Sequence, residues 1–213
     1  MDKVPQRTDC TILPVSPVRF IKPMLLTATE RLPEGAEWSY ELKFDGFRAI
    51  AIKTDGRVLL RSRKNADLSH RFREIVKALD ALPDGTVLDG ELVGLDGEGR
   101  PSLPLLQSFP SSRAPIRLYV FDILALSGTV VTNLALAQRR QLLQSRILPV
   151  VSEPIRFAAA LEAPVPDIVH CVRSLHLEGI VAKRNDSLYW PGLRSTVWKK
   201  MRMYSTVNQL RPS

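Results

Sequence analysis

A mixed α+β domain dominated by antiparallel sheet is what the sequence predicts, and three observations carry that reading. AIAIKTDGRVLLRSR runs apolar and polar on both sides of Asp55-Gly56, the dipeptide best suited to a two-residue hairpin turn. TVLDGELVGLD and IRLYVFDILAL are β-rich segments, the second apolar enough to be buried on both faces. Between and after them lie three stretches with helical rather than alternating periodicity: RFREIVKALDAL, LAQRRQLLQSRIL and DIVHCVRSLHLEG.

In chain order, residues 1–18 are polar and carry Pro5, Pro14 and Pro17, the pattern of an irregular arm. WSYELKF alternates from Trp38 and leads into the Asp55-Gly56 hairpin. RFREIVKALDAL sets Phe72, Ile75, Val76, Leu79 and Leu82 on one helical face for packing on the sheet, and Pro83 with Asp84-Gly85 stops it. Residues 98–114, rich in Gly, Pro and Ser, predict a long loop. The last amphipathic helix is expected to stop at Gly179, with GIVAKR and TVWKKMR as further strands. Residues 19–204 are expected to form one domain and 205–213 a polar tail, since 213 residues bury one good core, or two lobes sharing a cleft, but hardly two independent large domains.

Mean hydropathy is −0.04 with 24% charged residues, values of an ordinary globular chain. Thirty Lys and Arg against 22 Asp and Glu leave a formal charge of +8, which favours an anionic partner such as nucleic acid or nucleotide. Cys10 and Cys171 are far apart and lack a zinc-ligand pattern, so neither a disulfide framework nor structural zinc is indicated. With no apolar leader in MDKVPQRTDC and no membrane-length apolar run, a cytoplasmic protein without membrane association is expected.

The chemistry concentrates around YELKFDGFRA. A lysine amine attacks phosphorus or a carbonyl only when neutral, so Lys43 needs a cleft in which burial and nearby cations disfavour its ammonium. Asp45-Gly46 supplies a bend to aim it, with Arg48 in reach of an anionic or ribose-bearing ligand. The tetrapeptide alone also suits a surface lysine before an ordinary turn. What distinguishes it is the ordered series downstream: Glu91 in LDGEL, Phe121 and Asp122 in VFD, Glu178 and Lys183 in EGIVAKR, Lys199 and Lys200 in WKKMR. Aromatic, acidic and basic groups at several strand ends are what nucleotidyl transfer requires: a stacking face, carboxylates for a hard metal, and cations for phosphate charge. His70, His170 and His176 form no triad or metal spacing and are read as structural or surface residues.

From about Phe20 to Arg202 the chain resembles the ATP-dependent polynucleotide ligases of the covalent nucleotidyltransferase superfamily, and among them the ligase domain of bacterial end-joining DNA ligases. The matching stretches are IKPMLLT, ELKFDGFR, LRSRKNADLSHRF, LDGEL, YVFDIL, LEGIVAKR and SLYWPGLRSTVWKKMR. The resemblance implies an ATP-grasp-like nucleotidyltransferase fold with a nucleotide cleft, in which Lys43 takes AMP from ATP as a phosphoramide. It further implies adenine recognition by Glu41 and the Leu42 backbone, stacking by Phe121, ribose contacts by Arg48 and Glu91, and phosphate contacts by Lys183, Lys200 and Arg194. Glu178, with help from Glu91 or water, would hold Mg2+ or Mn2+, and Arg63 would engage the 5′ phosphate of nicked double-stranded DNA. The implied activity is sealing of 5′-phosphate/3′-hydroxyl nicks in repair or recombination by a monomer.

Two departures qualify the match. Where the family has Lys-x-Lys, this chain has Lys200-Met201-Arg202, keeping the charge but changing its geometry. The family continues into an OB-fold domain carrying a further basic motif, for which this chain leaves no room; a separate OB-fold domain or end-joining proteins would then complete the clamp, and self-adenylation is expected to be slow. An RNA ligase or capping-type enzyme, and a non-catalytic nucleotide- or DNA-binding descendant, are the alternative readings of the same residues.

Overall fold

The computed structural model describes residues 18–203, so the expected arm, apart from Val18, and the expected tail lie outside the described residues. In chain order the elements are β1 (Leu25–Ala28), β2 (Trp38–Lys43), β3 (Phe47–Thr54), β4 (Arg57–Ser62), α1 (Arg73–Ala78), β5 (Thr86–Gly94), α2 (Leu103–Gln107), β6 (Ile116–Leu126), β7 (Thr129–Val130), α3 (Leu136–Leu142) prolonged by a π-helical turn over Leu143–Ile147, β8 (Ile155–Phe157), α4 (Val165–Ser174), β9 (Gly179–Arg184) and β10 (Arg194–Arg202). They form two sheets. One has strand order β1-β10-β9-β2 and the other β4-β3-β5-β6-β7, with β8 beside β6. Pairing is antiparallel except for β1 with β10 and β6 with β8, as the α+β reading requires.

Because successive strand residues face opposite sides, each strand divides its side chains between two cores. In β3, Ala49 and Ala51 join a core against α1 and the π-helical turn, while Ile50 and Ile52 face the other way. The second core lies between the sheets and gathers Ile50, Ile52, Phe121, Leu124, Tyr189 and Trp198. A third, behind the first sheet, packs Tyr40, Ile180, Ala182 and Met201 against Ile168 and Val172 of α4. The layers are thus helix, sheet, sheet, helix, with the functional cleft at the inter-sheet layer.

The Asp55-Gly56 hairpin forms as expected, with both residues in the left-handed region. Two expectations need correction. Residues 98–114 are not wholly loop: Pro104 lies in the first turn of the short α2, and Leu106 is buried in the first core. Arg71 fastens the end of α2 and the turn after it by donating to the carbonyls of Leu106, Gln107 and Phe109. Nor does Gly179 stop α4. The helix ends at Ser174, and His176, at φ 54°, reverses the chain, with Leu177 N–H donating to Val172 O. Gly179 instead opens β9 hard against β10, where a Cβ would fall 2.1 Å from Met201 O. No helix of the described residues is long and apolar enough to cross a membrane.

Candidate active site

Strand alternation builds the cleft. Glu41 and Lys43 point from β2 into the inter-sheet space while Tyr40 and Leu42 point away into the third core, so Leu42 meets the cleft through its backbone. The same parity brings Val181 and Lys183 from β9, Trp198, Lys200 and Arg202 from β10, and Glu91 from β5. A narrow inner slot of about 80 Å³ is lined by Glu41, Lys43, Arg48, Glu91, Phe121 and Lys183 among others. It adjoins an open outer recess of about 700 Å³ reaching Arg63, Glu178, Arg194, Lys200 and Arg202. Lys43, Arg48 and Glu91 border both. Every residue to which the family resemblance gives a role therefore reaches this one cleft. Asp122 and Lys199 do not: Asp122 is fully buried against Arg139, and Lys199 leaves β10 on the other face, 5.9 Å from the Trp38 ring centroid. None of the three histidines lines the cleft.

Phe121 owes its position to a β-bulge. Asp89 pairs with Asp122 and Gly90 with Val120, so Phe121 has no residue opposite it and its ring turns toward the slot. Arg48 lies 4.6 Å from that ring and Lys183 4.2 Å from it. Arg48 is held in turn by Asp89, at 2.5 and 2.6 Å, and Asp89 also accepts from the Tyr189 hydroxyl at 2.6 Å. Tyr189 OH accepts from Met24 N, so this buried network ties the lead-in to β1 and the β9–β10 connection to the floor of the second sheet. Burial works against the Arg48 charge, but Asp89 overrides it and raises its pKa.

At the mouth of the slot Lys43 Nζ donates to Glu178 Oε1 at 2.5 Å. The setting anticipated for Lys43, among cations, is therefore only half of what is found: its immediate partner is a carboxylate, with Lys200 and Arg202 also lining the recess. Arg202 Nε stands 3.5 Å from Glu178, so this arginine presents its charge to the same recess despite the altered side-chain geometry. Glu178 Oε2 is buried without a hydrogen-bond partner, and burial raises the Glu178 pKa against the pull of Lys43. Burial likewise raises that of Asp45, while burial with Arg202 and Lys43 nearby lowers that of Lys200.

Lys183 lies away from Lys43. Expected among phosphate contacts, it lies at the opposite end of the cleft, donating to Glu41 Oε2 at 2.7 Å. Register is the reason: Lys43 pairs with Gly179 but Lys183 with Ser39, four residues or about 13 Å further along β2. Burial lowers its pKa even though Glu41 works to raise it. Arg140, Asp89 and Trp198 complete the slot's surroundings without having drawn notice in the sequence. Arg140 lies in a helix segment with no motif around it, and Asp89 stands inside LDGEL with no role of its own.

Burial pushes the Glu91 pKa up to about 7, with Asp89 and Glu178 adding to the rise and Arg48 and Lys43 opposing it. Between its ordinary value of 4.5 and about 7 the folded chain holds a proton the unfolded chain has lost, so stability falls as pH rises across that window. Glu91→Gln should match the native stability near pH 4.5 and exceed it at pH 8, by about 1–3 kcal/mol. Thermal melts at the two pH values check this, and equal differences at both would count against it.

Residues 23–202 match the family model for the ATP dependent DNA ligase domain. The Pseudomonas aeruginosa multifunctional non-homologous end joining protein LigD is 38% identical over 86% of this chain, which spans 22% of that protein. The SPbeta prophage-derived DNA ligase-like protein LigB of Bacillus subtilis is 30% identical over 87% of this chain and 68% of its own length. A solved mycobacterial DNA ligase D complexed with ATP and MES aligns at TM-score 0.76 and 29% identity, covering 88% of this chain and 62% of that one.

Proposed function

The chain belongs to the family of ATP-dependent DNA ligase domains, and from that membership we propose that this cleft transfers AMP from ATP through Lys43 to the 5′ phosphate of a DNA nick, which the adjacent 3′ hydroxyl then seals. The observation that carries the proposal is the order of groups along the cleft: Glu41, Phe121 and Lys183 at the narrow end, Arg48 and Glu91 between, and Lys43 with Glu178, Lys200, Arg194 and Arg63 around the open recess. That sequence matches a base, a ribose and a phosphate chain laid end to end.

In the first step Lys43 Nζ attacks the α-phosphorus, a P–N bond forms, and pyrophosphate leaves with the broken P–O pair. The amine must first exchange its Glu178 contact and lose a proton. Lys200 and Arg194 oppose the phosphate charge, and Arg63 receives the nick's 5′ phosphate. In the second step a 5′-phosphate oxygen displaces the lysine, giving a pyrophosphate-linked adenylate. In the third the 3′ hydroxyl displaces AMP. Glu178, through its unpartnered Oε2, and Glu91 would hold a magnesium or manganese ion. Among the described residues no three or more His, Cys, Asp or Glu are grouped so as to hold a metal by themselves, so phosphate oxygens and water would complete the shell, as is usual for magnesium. When bound, such an ion neutralises phosphate charge. The relatives' names favour DNA over RNA as substrate, and a separate OB-fold unit or end-joining proteins are the partners that would complete the DNA clamp.

The proposal is tested with a duplex bearing one nick, supplied either 5′-phosphorylated with ATP and manganese or pre-adenylated without ATP. Sealing of the pre-adenylated nick is expected, falling as salt rises because phosphate contacts dominate DNA affinity. Failure to seal it at low salt would remove the DNA-ligase reading.

A further inference from the structure

Arg140 does not line the slot, yet it is bound to the slot's acidic group. From α3 its guanidinium pairs with Glu41 Oε1, while Lys183 takes Glu41 Oε2 at 2.7 Å. Three further restraints fix Arg140 itself. It donates to Ala158 O at 3.1 Å, its guanidinium lies 4.5 Å from the Phe157 ring centroid, and its side chain is only 11% exposed. A surface ion pair would have none of these supports. The arrangement thus connects β2, β8 and α3 at one carboxylate buried to 3% exposure.

We propose that Arg140 is a positioning residue for base selection: by holding one oxygen of Glu41 from behind, it fixes the direction in which that carboxylate faces the slot. A carboxylate offers about four acceptor positions. Two cations on different oxygens leave acceptor capacity on each, in a fixed plane, for the amino group of a base lying on Phe121. Without Arg140, Lys183 would be the sole cation left on Glu41, free to turn the carboxylate about its bond. A base carrying a 6-oxo group would present an acceptor to the held carboxylate and be rejected, because a site built to receive N–H discriminates strongly against an analogue that lacks it.

The inference rests on the reading of this cleft as a nucleotide site. It is tested by covalent labelling of Lys43 with ATP and with inosine triphosphate, which replaces the 6-amino group by oxygen, in the native chain, Arg140→Met and Arg140→Lys. Arg140→Met should raise KM for ATP about tenfold and reduce the ATP-to-inosine preference about tenfold or more, with kcat at saturating ATP changed little. Arg140→Lys, which keeps one donor, should recover part of the preference. An unchanged preference in Arg140→Met, or a fall in kcat with KM unaltered, would overturn the assignment and leave Arg140 a purely structural brace. Should Arg140→Met not fold, the Arg140→Lys chain alone decides: retention of the full native preference is then the overturning result. Absence of labelling in the native chain, together with failure to seal a pre-adenylated nick, would instead tell against the nucleotide reading.

Discussion

Lys43→Ala should abolish the AMP-sized mass increase that the native chain is expected to acquire on incubation with ATP and manganese. No other lysine of the cleft is placed to substitute. Lys64 and Lys200 line only the outer recess, and Lys183 is held at the far end of the slot by Glu41. Removing the nucleophile outright differs from weakening a contact, so the loss should be at least about 10⁴-fold and limited by detection. Lys43→Arg is the sharper control. It keeps a cation opposite Glu178, and therefore the local charge balance, but the guanidinium cannot be deprotonated to attack. Both variants should melt close to the native chain, because Lys43 borders the cleft rather than a core and Arg202 remains 3.5 Å from Glu178. A mass increase surviving in either variant would place the adduct on another residue.

Arg139→Met will lower Tm by about 6–20 °C, corresponding to about 3–5 kcal/mol in a chain of this size. Arg139 and Asp122 are both fully buried and paired at 2.8 and 2.9 Å, and Arg139 also donates to the carbonyls of Leu134 and Ser187. Truncating the arginine leaves a buried carboxylate without its cation, with only the Ile123 N–H still donating to it, and leaves the Leu134 carbonyl without its donor, while Ser187 O keeps the N–H of Leu136; losing the cation is costlier than the pair itself is stabilising. Two further measurements separate this effect from a simple packing defect. Burial already raises the Asp122 pKa against the pull of Arg139; without that pull it rises further, so the variant's deficit should shrink as pH falls and the carboxyl takes a proton. Asp122→Leu combined with Arg139→Met should recover much of the loss. A Tm within about 2 °C of native for the single variant would contradict the assignment.

Legibility from the sequence divides along the line between local and non-local information. Strand parity is local: Glu41-x-Lys43 and Trp198-x-Lys200 lie on one strand face in any register, which is why Glu41, Lys43 and Lys200 share the cleft and bring Trp198 with them. Position along the cleft depends on how β2 pairs with β9, a register set across the whole domain, and so sequence reasoning does not place Lys183 beside Glu41. The bulge at Phe121 is a property of the β5–β6 pair and leaves no mark in YVFDIL. Arg139, by contrast, carries a local sign. Leu136, Arg139, Leu143 and Ile147 share one helical stripe, and all four are buried, so a charged residue in that stripe signals a buried partner. Arg140 has no such sign, since its importance comes from Glu41, 99 residues away.

The first sheet places strands from near the start of the described chain beside strands from its end, and Lys43 meets Glu178 across 135 residues. During synthesis the ribosome releases β2 long before β9 and β10, so the nascent chain carries its lysine for most of its length without Glu178, without the Trp198 wall and without a closed recess around it. Long-range pairing of this kind forms late and slowly. A complete cleft is thereby reserved for chains that have been translated through Arg202, and a prematurely terminated product has Lys43 but not its surroundings.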